Sequence, residues 1–165
     1  MVLNMKNTSY IFLFIAMLSF SCAQKKDVSN GYIPLEISIG LQKTMCYGSC
    51  PSFNFSVLNN GQATLTVGRF AEDMFGRHLD EGKYIGTISI DEISRISEFA
   101  EKTGYLQLND RYDNPMIMDI PAAISTINGK TVFNRYEGPD LKDLYTSIEN
   151  LIRTVEWVAK PDIEK

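Results

Sequence analysis

The tightest constraint on this chain is a pair of Asn-Gly turns, each set between segments in which apolar and polar residues alternate. Asn59-Asn60-Gly61 separates Phe53, Phe55 and Val57 from Ala63, Leu65 and Val67, and Asn128-Gly129-Lys130 separates residues 122–127 from residues 131–136. Alternation at period two puts the apolar members on one face of a strand, and Asn-Gly supplies the positive-φ residues of a tight connection. Two antiparallel hairpins are therefore expected. Leu35, Ile37, Ile39 and Leu41 alternate with Glu36, Ser38, Gly40 and Gln42 and predict another strand, as does the run from Tyr84 to Ile88. Residues 68–82, charged and punctuated by glycine, read as a loop.

Two segments carry helical periodicity instead. Ser89 with Glu92 three residues on is a capping box, and Ile93, Ile96, Phe99 and Ala100 follow at helical spacing until Gly104. Pro139 is placed to open a second helix, in which Leu141, Leu144, Ile148, Leu151, Ile152 and Val155 form one stripe before Pro161. Hairpins grouped with helices, without regular alternation of strand and helix, give an α+β class: an antiparallel sheet of about five to six strands with two amphipathic helices on one face.

The N-terminus follows different rules. Lys6 precedes an apolar run from Tyr10 to Phe20 that only Ser19 interrupts. Crossing the hydrocarbon core takes about 20 apolar residues, so this run suits the core of a signal peptide better than a membrane span. Ser19-Phe20-Ser21-Cys22 resembles the processing site of bacterial lipoproteins, in which the thiol receives a diacylglyceryl group before the preceding residues are removed. The resemblance implies a signal peptide over residues 1–21 and a lipidated Cys22 carrying palmitate-type acyl chains. Cysteine number agrees, because three is odd for an exported chain and assigning Cys22 to lipid leaves Cys46 and Cys50 as an even pair.

Residues 22–34 are polar and contain Ser29, Asn30, Gly31 and Pro34, so they read as a tether with a root-mean-square reach of roughly 20 Å. Residues 35–158 suit one domain, followed by a tail over 159–165. Of 16 basic residues, only Lys6 falls before Cys22, which leaves 15 against 20 acidic ones and a mature charge of −5. That balance argues against nucleic acid and against electrostatic docking on anionic lipid.

Cys46-Tyr47-Gly48-Ser49-Cys50-Pro51 is the most distinctive local sequence. With the strands around it, the Asn60-Gly61 turn, Gly82-Lys83-Tyr84 and Asp119-Ile120-Pro121, it resembles a bacterial family catalogued as domain of unknown function 6438, over most of residues 35–157. That resemblance implies a fold unit and no activity. The chemistry of the pair stands apart from it. Two cysteines across a short loop between strands come within disulfide range, and Gly48 would relieve the turn. A disulfide persists in exported proteins and would fix the loop's shape. A redox pair would need a lowered thiol pKa, for which Lys43 is the nearest basic residue. A soft-metal site would have to recruit Met45, Met74, Met116, Met118 or His78.

Other chemistry is sparse. His78, the lone histidine, lies beside Asp80 and Glu81 and could act as a general base or simply be solvated. Asp110, Asp113 and Asp119 lie in an oxygen-rich stretch without the spacing of a calcium loop. No nucleophile elbow, phosphate loop, dinucleotide fingerprint or zinc-helix motif occurs. Tyr84, Tyr105, Tyr112, Tyr136, Tyr145 and Trp157 could line an interface or glycan-binding face, or belong to the core.

The resulting expectation is a non-enzymatic, lipid-anchored domain of the bacterial cell envelope, without cofactor, metal or nucleic acid, that binds an envelope protein or glycan. Two other classes compete with it: a thiol-disulfide or metal-handling protein centred on Cys46 and Cys50, and an enzyme using His78. Replacing Cys22 by Ser is expected to yield soluble or unprocessed protein on membrane fractionation. A correctly trimmed C22S product that stays in the membrane would overturn the anchor.

Overall fold

The computed structural model describes residues 34–160. The expected signal peptide of residues 1–21, the expected lipidation at Cys22 and all of the expected tether but Pro34 lie outside the described residues, as do residues 161–165. The strands are β1 (Ile37–Lys43), β2 (Phe53–Leu58), β3 (Gln62–Val67), β4 (Gly82–Thr87), β5 (Arg111–Tyr112), β6 (Ala123–Ile127), β7 (Lys130–Asn134) and β8 (Val158–Ala159). The helices are α1 (Ile90–Lys102) and α2 (Lys142–Thr154), with a 3-10 turn at Tyr105–Gln107.

Both expected hairpins form: β2 pairs with β3, and β6 with β7. One sheet runs in the order β5-β7-β6-β1-β2-β3-β4-β8. β1 is the seam, bonded to β2 on one side and β6 on the other. The sheet holds eight strands among the described residues, against the five to six expected. β5 and β8 are two residues long and too short to show a period, which is why the sequence pattern misses them. β5 also pairs in parallel with β7, so the sheet is mostly rather than wholly antiparallel.

In-register pairing sorts the side chains by face. Leu41, Phe55, Leu65, Ser125 and Val132 share one row, and Ile39, Val57, Ala63 and Ile127 the next. These residues join Ile93 and Ala100 of α1 and Leu144, Ile148, Leu151 and Ile152 of α2 in the buried core. The intervening rows carry Gln42, Asn54, Ser56, Thr64, Thr66 and Thr126. Ser56 and Thr64 are hydrogen bonded at 2.9 Å, and so are Thr126 and Thr131. An apolar face under helices follows directly from the period of two, and so does a rear face that is largely polar in its centre and carries Ile85, Ile124 and Phe133 in the same rows.

The capping box at Ser89 forms as expected: its Oγ accepts from Glu92 N, and the Glu92 carboxylate accepts from Ser89 N. α2 starts later than Pro139. Asp140 Oδ1 accepts from Lys142 N at 3.0 Å, and Leu141 is buried at the helix start. Its stripe holds, and beyond Thr154 the chain straightens through Val155 into β8. The expected tail from residue 159 is corrected by β8, since Ala159 pairs with Tyr84 and Lys160 N donates to Lys83 O at 2.8 Å. Gly86 admits this return, because a Cβ there would lie 2.4 Å from Val155 Cγ1.

The first strand is also shorter than its alternation. A register shift between Ile37 and Ile39 turns Ile37 to the rear face, where its Cγ2 lies 3.6 Å from the Cβ position of Gly40. Leu35 is exposed outside the strand. The loop of residues 68–81, by contrast, is anchored: Ala71, Phe75 and Leu79 are buried, and Phe75 meets Phe53 edge-on with ring centroids 5.2 Å apart.

Leu41 is 1 % exposed and contacts both halves of the sheet through β1. Leu41→Ala is expected to lower unfolding free energy by about 2–5 kcal/mol, read as a fall in the urea midpoint at constant slope. A loss under about 1 kcal/mol would show that the core collapses around this position and that Leu41 packing is not what holds the two halves together.

Candidate functional site

Strand direction gathers the irregular chain at one end of the sheet. Lys43, Phe53, Val67, Ala123 and Asn134 are terminal pairs of adjacent ladders, so the loops of residues 44–52, 68–81, 113–122 and 135–141 all leave from that edge. The tight turns at Gly61 and Gly129 lie at the opposite end, with Pro34, whose carbonyl accepts from Asn59 Nδ2 at 2.8 Å. Pro34 and the loop-bearing rim are thus separated by the length of β1, about 20 Å.

Cys46 and Cys50 lie in the first of these loops with sulfurs at disulfide distance and Cα atoms 5.6 Å apart. The loop is held on both sides. Thr44 N donates to Ala122 O at 3.0 Å, and Ala122 N to Thr44 Oγ1 at 2.8 Å, tying it to the 113–122 segment. Ser52 N donates to Arg69 O, and Gly68 N to Ser52 O, tying it to the 68–81 loop. Gly48 does not have a positive φ, and a Cβ there would make only an ordinary contact at 3.8 Å with Cys46 Sγ. The loop therefore does not depend on Gly48, contrary to the expectation from its sequence. Gly68 is the glycine that matters, since a Cβ there would lie 2.5 Å from Ser52 Oγ.

The rim is apolar where it meets water. Tyr47 is 92 % exposed, and Met45, Phe70, Met116 and Met118 are exposed as well. Tyr47 is absent from the aromatics singled out by sequence. Of those, Tyr84, Tyr105, Tyr112, Tyr145 and Trp157 all pack in or against the core, and Tyr136 is half-buried. Burial pushes the Tyr105 hydroxyl up to about 12, and it stays a donor to Ser125 O at 2.8 Å. Three non-glycine residues with positive φ, Phe70, Asp119 and Glu137, also lie in rim loops. Each left-handed residue costs roughly 1–2 kcal/mol, a strain that concentrates at functional segments.

One ion network holds the rim's third loop. Arg135 Nε and Arg111 Nη2 donate to the Asp113 carboxylate, and Arg135 Nη2 donates to Asn114 O and Ile117 O, each at 3.0 Å. Burial opposes the Asp113 charge, but hydrogen bonds from Arg111 and Arg135 outweigh it and hold the carboxyl below its ordinary range. Asp110 pairs with Lys130 elsewhere, so the three aspartates of the oxygen-rich stretch do not converge. Among the described residues no group of three or more His, Cys, Asp and Glu side chains is placed to hold a metal ion.

The sheet's helix side hides a polar cluster that the sequence reading missed. Lys43, Ala123 and Asn134 are adjacent in register, and Lys43 Nζ donates to Glu149 Oε1 of α2. Asn134 Nδ2 donates to Pro139 O at 3.0 Å and lies 3.5 Å from Tyr145 Oη. Two clefts meet here, of about 390 and 370 Å³, and Lys43 and Asn134 line both. Cys50, Pro51 and Pro121 wall the second. The signal was present in the sequence: Lys43 follows Ile39 and Leu41 at period two, and Asn134 follows Val132, so both are polar residues at inward positions.

His78 sits apart on the 68–81 loop, its Nδ1 2.8 Å from Asp73 and its Nε2 3.4 Å from Asp80. Glu81, one of the two expected partners, is not engaged by the ring, and Asp73 takes its place.

A family model described as Domain of unknown function (DUF6438) matches residues 37–152. No curated protein and no solved structure matches.

The hydrogen bond and charge of Asp73 raise the His78 pKa above 6.5. A raised folded value means that the attraction is complete below the unfolded pKa and fades as pH rises through the folded one. An NMR titration of the single histidine is expected to give a midpoint above 6.5 that falls in Asp73→Asn. An unchanged midpoint in that variant would remove Asp73 as the cause.

Proposed function

The chain belongs to the DUF6438 family, and from that premise we propose that it is a lipid-anchored envelope protein whose Cys46–Cys50 rim binds another envelope component. The observation that carries this reading is the placement of exposed Tyr47 and Met45 on a braced loop at the end of the sheet opposite Pro34. With Cys22 acylated, a short tether would keep the domain near the bilayer and turn that rim away from its attachment. A protein or glycan at the membrane face is then the partner within reach.

The disulfide is structural in this reading. It closes a loop of three intervening residues, for which chain-entropy arguments give about 2 kcal/mol, so its effect is mainly to fix the direction of Tyr47. Rigid aromatic anchors on braced loops lose little entropy on binding, which is why they dominate contact energetics. Catalysis has less support. His78 is largely exposed between two carboxylates.

Crosslinking from intact membranes followed by capture of the full chain is expected to recover a discrete partner with the wild type. Tyr47→Ala should reduce that recovery about tenfold or more, in the range of a lost interface anchor. Equal recovery with Tyr47→Ala would overturn the rim as the binding surface. A free-thiol titration that finds Cys46 and Cys50 readily reduced would move the reading to thiol-disulfide exchange.

A further inference from the structure

We propose that the paired clefts at Lys43 and Asn134 form a binding site for a small zwitterion with an apolar body, of the class of an apolar α-amino acid. The site rests on the reading of this end of the domain as a binding surface and names its ligand chemistry.

Four polar side chains converge there on an otherwise apolar face. Lys43 and Glu149 are 31 % and 14 % exposed, so both charges are partly withdrawn from water. An ion pair in that position contributes little net stability, because desolvation offsets much of the attraction. Apolar residues of similar volume would serve packing as well. The other polar groups in the inner rows are accounted for: Ser125 by its hydrogen bond with the Tyr105 hydroxyl, and the Tyr84 hydroxyl by donating to Asp80 O at 3.0 Å. Asn134 is held by its bond to Pro139 O and Tyr145 packs against the core, but the Lys43–Glu149 pair between them has no such structural role.

Their hydrogen-bonding capacity is also only partly used. The Lys43 ammonium has three donors and makes one side-chain bond, to Glu149 Oε1. Ala123 sits between Lys43 and Asn134 in register, and its short side chain leaves the space in which the two clefts meet. The 390 Å³ cleft presents the partly buried charges of Lys43 and Glu149, with the exposed Asp140 and Lys142 also lining it, and the 370 Å³ cleft presents Cys50, Pro51, Pro121 and Ala122. A carboxylate on Lys43, an ammonium on Glu149 and a hydrocarbon chain against the prolines match these three chemistries together. The ligand replaces one direct ion pair by two, with Asn134 and Tyr145 beside its polar head. An anion alone would leave Glu149 uncompensated, and an apolar molecule alone would leave both charges unused.

The probe is L-leucine, with the purified full chain. At millimolar concentration leucine is expected to raise the melting temperature and to shift the amide resonances of Cys50 and Ala123. N-acetyl-leucine lacks the ammonium, leucinamide the carboxylate and glycine the hydrocarbon; each should bind about tenfold more weakly or worse. Lys43→Gln and Glu149→Gln should lose leucine binding to the same degree. Should either variant fail to fold, the resonance map of the unaltered protein decides: shifts confined to the cleft support the site, and shifts elsewhere overturn it. No response to leucine, or equal binding of N-acetyl-leucine or leucinamide, also overturns it. Partner capture by a folded Lys43→Gln chain that no longer binds leucine would show that the rim and the cleft act independently. Loss of capture in Tyr47→Ala with leucine binding intact would show the same from the other side.

Discussion

β1 is bonded on both edges, and everything else in the domain depends on that. Each hairpin can close on its own turn, but a two-stranded unit exposes most of the apolar surface it should hide and is marginal in water. β1 supplies the missing partner to both. Its inward residues Ile39 and Leu41 are 0 % and 1 % exposed, lying between Phe55 and Val57 on one side and Ser125 and Ile127 on the other. The pairs joining β1 to β6 lie 80 to 88 residues apart in sequence, so the seam is also where chain entropy opposes folding most.

The same seam fixes the two ends of the molecule. Because β1 runs from Pro34 toward Cys46, Pro34 and the cysteine loop cannot share an end. Tight Asn-Gly turns occupy the Pro34 end. The longer connections, the positive-φ residues Phe70, Asp119 and Glu137, and the exposed Tyr47 and methionines are gathered at the other. Loops held against a rigid sheet are the usual place for recognition, and the braces from Thr44, Ser52 and Arg135 give these loops a defined shape.

Legibility in the sequence follows the range of the interaction. The capping box at Ser89, the α2 stripe and both hairpins are set by neighbours within a few residues and are readable directly. β5 and β8 are strands only because an existing edge accepts them, and no pattern of two residues could announce that. The candidate site divides in the same way. Cys46 and Cys50 are four positions apart, and their proximity is a local matter. Glu149 meets Lys43 from 106 residues away, through the packing of α2 on the sheet.

The sequence by itself determined the hairpins, the two amphipathic helices, the α+β class and the closeness of the cysteines, because period, turn chemistry and short spacing act within one element. Tertiary structure decided the strand order, the eight-stranded width, the burial of Phe75 in a charged loop and the union of Lys43, Asn134, Tyr145 and Glu149 around one cleft. Those outcomes arise from pairing between distant segments, whose register is chosen by burying all the apolar rows together. An inward lysine at the end of β1 is a local anomaly in the sequence, and it becomes half of an ion pair only when a remote helix lies over it.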